Sequence, residues 1–238
     1  MHGNQMKLLE NVMAEYKRLE HQSAHGDYWK AMTEDNLWHE LCLCILSSNV
    51  PFESASSAFN HLKDNSFLNR EYLLQNKKAI EILERELSKP IYLPLRKNGK
   101  PRKYRFPHVK ASQITNAAKS IYESGQSLKS ILREAKSEYD VRDALTEKVP
   151  GIGLKQSSLF LRNIGYTRSL AIIDTHILSF LSELELPLNL EAIYPLSKRQ
   201  YRNLEIKLQA LAERLNADLS LLDFAIWITM KANNRRHK

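Results

Sequence analysis

Apolar residues recur along the chain at intervals of three and four, the spacing that gathers them on one face of an α-helix. Leu8, Leu9, Val12, Met13, Tyr16 and Leu19 form the first such stripe. Thr33 is placed to cap a second helix with apolar positions at Leu37, Trp38, Leu41, Cys42, Ile45 and Leu46. That helix ends at Ser47-Ser48-Asn49, and Pro51 suits the opening turn of the next. Helical patterns follow over 51–62, 70–75, 77–87, 110–123, 128–137 and 141–148, with Asp140 and Asp143 as candidate caps for the last. A break at Val149-Pro150-Gly151-Ile152-Gly153 leads into a helix over 154–164, which Gly165 is placed to end. Three more are expected over 174–184, 197–215 and 218–230.

Composition agrees with that pattern. The chain holds 36 Leu against 5 Val, and only 7 Gly and 8 Pro among 238 residues. Leucine suits helices and valine suits strands, so the expected fold class is all-α. A chain of this length buries roughly 70% of its unfolded surface and needs no disulfide or metal staple. No apolar run approaches the roughly 18 residues that span a bilayer. Glu10 stands where a signal peptide needs an apolar core, so a cytoplasmic protein is expected. Cys42 and Cys44, two apart on a helix, point to different faces and do not pair readily. Two cysteines exclude a four-cysteine zinc or iron–sulfur site, and the 8 histidines show no ligand spacing, so no metal chemistry is expected.

Charge points to a partner. Lys and Arg total 35 against 27 Asp and Glu, a net charge of +8. An excess of that kind suits a polyanion, most often nucleic acid. The densest stretch is 89–110, with eight Lys or Arg and no acid. Asn98-Gly99 between partly apolar arms signals a hairpin, and Pro90, Pro94 and Pro101 confine any strands to an edge. A short β-hairpin near 91–106 is expected, with Lys100, Arg102 and Lys103 along a phosphate backbone. A solvated surface loop is the plainer alternative.

The segment from Lys148 to Ile177 carries candidate chemistry. A helix, a Pro150-Gly151-Ile152-Gly153 turn and a second helix make a helix–hairpin–helix. Glycines let the backbone approach another surface, and the amides opening the second helix form an anion site suited to a phosphate. Lys155 lies in the first turn of that helix, where a positive helix end disfavours a second positive charge. A neutral amine there would be a nucleophile able to form a Schiff base. Asp174 follows the apolar run Leu170-Ala171-Ile172-Ile173, which would hold its carboxylate at the edge of a core. It would stabilise positive charge or assist proton transfer. Singly, the two residues read as a solvated lysine and a helix cap.

Together, the hairpin, Gly153-Leu154-Lys155 and the downstream Asp174 resemble the helix–hairpin–helix DNA glycosylase superfamily. Cys44-Ile45-Leu46-Ser47-Ser48-Asn49 is similar to a segment of its 8-oxoguanine glycosylases. Phe160 to Tyr166, Asp174-Thr175-His176-Ile177 and Tyr104-Arg105-Phe106-Pro107 look like the small archaeal and bacterial branch. That branch usually lacks so long a basic stretch as residues 91–103. The resemblance implies two helical lobes with a DNA-binding cleft between them: a discontinuous lobe of 1–50 plus 167–238, and a continuous lobe of 51–166 ending in the hairpin. It implies Lys155 and Asp174 as catalytic residues, and damaged double-stranded DNA as the partner of a monomer associated with a prokaryotic nucleoid. Pro150, Gly151, Gly153 and His176 would grip phosphates, and Asn49 would fill the space left by a flipped base. Phe224, Trp227 and the terminal Lys238 are the candidate base pocket. No cofactor is implied beyond a structural monovalent cation at the hairpin carbonyls. The expected function is a bifunctional 8-oxoguanine DNA glycosylase/AP lyase of base excision repair. The alternatives are a same-fold glycosylase for another lesion, or a helix–hairpin–helix DNA-binding module without catalysis.

Overall fold

Short side-chain oxygens start many of the helices by accepting backbone N–H groups that the first turn leaves without partners. The computed structural model describes residues 3–21, 27–184 and 196–236. Among them run α1 (Gly3–Glu20), α2 (Glu34–Ser47), α3 (Phe52–Asp64), α4 (Arg70–Gln75), α5 (Ala79–Leu87) and α6 (Pro107–Tyr122). Then come α7 (Leu128–Glu134), α8 (Glu138–Lys148), α9 (Leu154–Asn163), α10 (Thr175–Glu183), α11 (Lys198–Arg214) and α12 (Leu219–Arg236). Thr33, Asn69, Ser127, Ser137, Asp174 and Ser197 each cap the helix that follows. The fold is all-α, as expected. The start of α8 differs from expectation. Ser137, not Asp140 or Asp143, is the cap, because its hydroxyl accepts the Asp140 N–H at 3.1 Å. Its neighbour α7 accordingly stops at Glu134.

Two units divide the chain: Met1–Asp27 with Gly165–Lys238, and Tyr28–Ile164. α2 belongs to the continuous Tyr28–Ile164 unit. The reason is its packing. The Glu34 carboxylate at its start accepts the Leu128 N–H at 2.6 Å and the Tyr122 hydroxyl at 3.0 Å. Farther along, Trp38 is fully buried and its indole donates to the Leu68 carbonyl at 2.7 Å. Cys42 and Cys44, on the same helix, are both free and buried. Burial drives both thiols well above their ordinary range, and Glu40 beside Cys44 adds to the effect there.

In the other unit α12 is the shared surface for α1, α10 and α11. Leu8, Val12, Tyr16 and Leu19 are the buried stripe of α1. Tyr16 accepts the Asp218 N–H at 2.9 Å, which ties the two ends of the chain together within that unit.

The 91–106 segment forms no strand. One antiparallel bridge joins Tyr92 and Arg102 through N–H···O bonds of 3.0 and 2.9 Å. Beyond it the Arg96 N–H reaches the Lys100 carbonyl at 2.8 Å, and the Gly99 N–H reaches the Arg96 carbonyl at 2.9 Å. Gly99 is left-handed at φ 75°. This is a three-residue hairpin loop closed by a left-handed glycine. A longer ladder fails because Pro94 and Pro101 have no N–H and the Leu93 N–H donates to Ser57 Oγ at 3.1 Å. The root of this finger is buried. The Tyr92 hydroxyl donates to the Glu86 carbonyl at 2.7 Å, and the Tyr104 hydroxyl donates to the Leu46 carbonyl.

Candidate active site

The turn between α8 and α9 depends on one glycine for its shape and another for its openness. Gly151 is left-handed at φ 91°, and a Cβ there would lie 2.6 Å from Cδ of Gln113 on α6. Gly153, the residue before α9, has an ordinary extended backbone and open space where a Cβ would stand. It has no side chain to cap α9, so the first-turn amides are left for an outside acceptor. Pro150 is exposed beside them.

Lys155 is half-buried in that first turn. Its neighbour Gln156 is buried and donates Nε2 to the Cys44 carbonyl at 2.6 Å and to Ser47 Oγ at 3.1 Å. The lysine's helix is thereby fastened to the end of α2. Two residues past Ser47, Asn49 is exposed and left-handed at φ 59°. Asparagine adopts that conformation more readily than most residues, because its short amide bonds locally. The end of α2 thus joins three things: the Lys155 helix through Gln156, the finger through Tyr104, and the projecting Asn49.

Asp174 belongs to the other unit, where it caps α10. Its Oδ1 accepts the His176 and Ile177 N–H groups at 2.9 and 3.1 Å. Oδ2 makes no hydrogen bond among the described residues, so one oxygen orients the carboxylate and the other is left available. The chain before it, 170–173, is buried and extended, and side chains satisfy its amides. Glu205 accepts from Ala171 at 3.0 Å, Asp223 from Ile172 at 2.7 Å, and the Tyr201 hydroxyl from Ile173 at 3.1 Å. Glu205 and Asp223 are buried acids that sequence reasoning missed.

On α12, Leu222, Ala225, Ile226 and Met230 face the core. Phe224, Trp227 and Lys231 occupy an adjacent, partly exposed stripe at helical spacing. The Phe224 and Trp227 rings stack at 5.9 Å with an interplanar angle of 21°. His176 meets Trp227 edge-on at 6.2 Å, and Lys231 Nζ lies 4.3 Å from the Trp227 centroid. This unit therefore gathers Asp174, His176, Phe224 and Trp227. The other gathers Lys155, Pro150, Gly151, Gly153 and Asn49. Lys238 lies outside the described residues.

The basic stretch divides. Lys110 is buried, which lowers its pKa to about 8, so it is not part of any exposed basic surface. Lys89 is paired with Glu86 at 2.6 Å, and Arg102 Nε bonds the Pro94 carbonyl at 2.8 Å, bracing the finger. Lys100 and Lys103 are exposed, with Arg96 and Lys97 beside them. No helix among the described residues is long and apolar enough to cross a membrane.

Residues 18–217 match the model of an 8-oxoguanine DNA glycosylase family. The 8-oxoguanine DNA glycosylase/AP lyase of Sulfolobus acidocaldarius is 36% identical over 196 residues, 82% of each chain. The crystal structure of the Methanocaldococcus jannaschii 8-oxoguanine DNA glycosylase superposes with a TM-score of 0.70 at 28% identity, covering 95% of this chain and 94% of that one. The same enzyme in complex with a 15mer DNA containing 8-oxoguanine superposes at 0.64, 27% identical, covering 95% and 90%. An uncapped helix–hairpin–helix with a lysine two residues past its second glycine, a cap aspartate 19 residues on and a family match across most of the chain lead to one conclusion: the chain belongs to the 8-oxoguanine DNA glycosylase family.

Proposed function

We propose that the protein excises 8-oxoguanine from duplex DNA and then cuts the strand, as a monomeric glycosylase/AP lyase acting on DNA in the cytoplasm. The observation that carries this reading is Lys155 in the open first turn of α9, in a chain of this family. The first-turn amides and the Gly151–Gly153 turn hold phosphates of the damaged strand, with His176 as a further phosphate contact. Lys100 and Lys103 add attraction for the backbone. Extruding a nucleotide costs a few kcal/mol, and Asn49 offsets part of this by filling the vacated stack. Phe224 and Trp227 offer an aromatic face to the extruded base.

Lys155 Nζ attacks C1′ of the flipped nucleotide with its lone pair. The C1′–N9 bond breaks and its electron pair leaves with the base. Asp174 stabilises the positive charge that grows on the sugar. Opening of the ring gives a protonated imine on Lys155. Loss of the C2′ proton then expels the 3′ phosphate and cuts the strand 3′ to the lesion. The hairpin also offers one carbonyl toward a monovalent cation. The Val149 carbonyl accepts only a 3.5 Å bond from the Ile152 N–H, which leaves it free to ligate. A cation held there would add positive charge beside the phosphate.

Borohydride trapping on duplexes with 8-oxoguanine opposite cytosine tests this reading. Wild type should give a covalent protein–DNA band and Lys155→Ala none. A band on an abasic duplex without one on 8-oxoguanine would refute the substrate. No band on either would refute the lyase.

A further inference from the structure

The finger between Tyr92 and Tyr104 lies outside the bond-making steps above, which use only the charge of its Lys100 and Lys103, yet it is closely braced. Two buried tyrosines hold its root, one bridge pairs its arms, and Arg102 braces Pro94. On its first arm Tyr92 turns inward while Ile91, Leu93 and Leu95 are 44, 53 and 49% exposed. Beside this apolar edge stand Arg96, Lys97, Lys100 and Lys103, and the whole stretch 89–110 contains no acid. Large aliphatics held in water beside cations without acid partners suit a duplex, whose phosphate rails take the charges and whose groove sugars and thymine methyls take the apolar side chains. The Tyr104 bond to Leu46 also roots the finger three residues from Asn49, within one unit.

We propose that the finger is a second duplex-contacting element. Arg96, Lys97, Lys100 and Lys103 lie on phosphates, and Leu93 and Leu95 pack against sugar and base edges in the groove flanking the extruded nucleotide. This rests on the reading that the partner is duplex DNA. Pre-organisation by the tyrosine root means that little ordering entropy is lost when the finger engages.

A tethered cleavage experiment tests it. Cys42 and Cys44 are buried, so Leu95→Cys supplies one accessible thiol for an iron–EDTA label. On a duplex with 8-oxoguanine opposite cytosine, the labelled protein should cut a cluster of sugars at a fixed offset from the lesion, about tenfold above the free reagent. Cutting no stronger than the free reagent, with binding verified by anisotropy, overturns the proposal. Two unlabelled variants give an independent reading. Arg96→Ser with Lys97→Ser should lower the slope of log affinity against log salt by about two. Leu93→Ser with Leu95→Ser should weaken binding by about tenfold at an unchanged slope. Wild-type affinity and slope in both variants would overturn the proposal. Base excision is scored in the same tubes. Excision without tethered cutting refutes the finger and keeps the enzyme, whereas tethered cutting without excision does the reverse.

Discussion

Replacing each of the two hairpin glycines with alanine should have opposite consequences. At Gly151 the backbone is left-handed at φ 91°. An L-residue in that region costs roughly 1–2 kcal/mol. The new methyl would also lie 2.6 Å from Gln113 Cδ and 2.9 Å from Gln113 Cβ. The first atom swings away by rotation about the side chain, but the second moves only with the backbone of α6. Overpacking of this kind costs about 1–3 kcal/mol. The sum, about 2–5 kcal/mol, lowers the melting temperature by on the order of 10 °C for a chain of this size. At Gly153 a Cβ meets nothing within 4 Å. The small loss in capping preference and the gain in chain stiffness nearly cancel, so Gly153→Ala should melt within about 2 °C of wild type. In the proposed function a phosphate approaches the α9 amides at that place, so the methyl should lower affinity for duplex DNA by about 10- to 100-fold. Calorimetry and anisotropy on both variants separate the two effects. Adding Gln113→Gly to Gly151→Ala should recover the steric part of the loss, less the roughly 1 kcal/mol that a glycine costs inside a helix, because it removes the Cβ that the new methyl meets. A Gly151→Ala protein as stable as wild type, or a Gly151→Ala with Gln113→Gly double variant no more stable than the two single losses sum to, would show that the turn is not constrained as described.

Two further outcomes follow from buried groups. Asp223→Ala removes the acceptor of the Ile172 N–H and leaves that amide orphaned in the core, a loss of about 1–3 kcal/mol. Melting should fall, single-turnover excision should slow because Asp174 loses its support, and Asp223→Asn should restore part of both; an Asn variant no better than Ala would refute the hydrogen-bonding role. Lys110 has a folded pKa of about 8 against an ordinary value of 10.5, so the unfolded chain binds more protons between those values. Stability should therefore rise with pH across that window, with the full penalty present below pH 8. Lys110→Met should melt above wild type at pH 7, with the gap narrowing from pH 8 to 10.5; a gap that ignores pH would refute it.

The helices were legible in the sequence because their determinants are local. Thr33, Asn69 and Ser127 each reach a backbone N–H within the helix they open, and the leucine stripes repeat inside a single window. The placement of Lys155 in the opening turn of α9 and of Asp174 before α10 was legible for a similar reason, since a turn and an apolar run fix both locally. What stayed hidden depends on distant partners. Gln156 meets the Cys44 carbonyl across 112 positions, Asp223 meets Ile172 across 51, and Tyr104 meets Leu46 across 58. No periodicity reports such a pair. Lys110 was misread by composition alone: it belongs to a basic run, yet the opening turns of α6 carry it inward. The 50/51 boundary came from the resemblance, and no local pattern in the sequence reports that the Glu34 carboxylate and the Trp38 indole tie α2 to the Tyr28–Ile164 unit.

The two cysteines on α2 have a bearing on where such an enzyme is needed. 8-Oxoguanine is formed by oxidants, and those same oxidants attack proteins through thiolate anions, which are far more reactive than thiols. Both sulfurs here are buried, and burial keeps them in the thiol form. Cys44 is the critical one, since its carbonyl anchors Gln156 beside Lys155, and a sulfenic acid there would push against that joint. By holding its sulfur protonated and out of solvent, the fold keeps the support of Lys155 intact under the conditions that generate 8-oxoguanine.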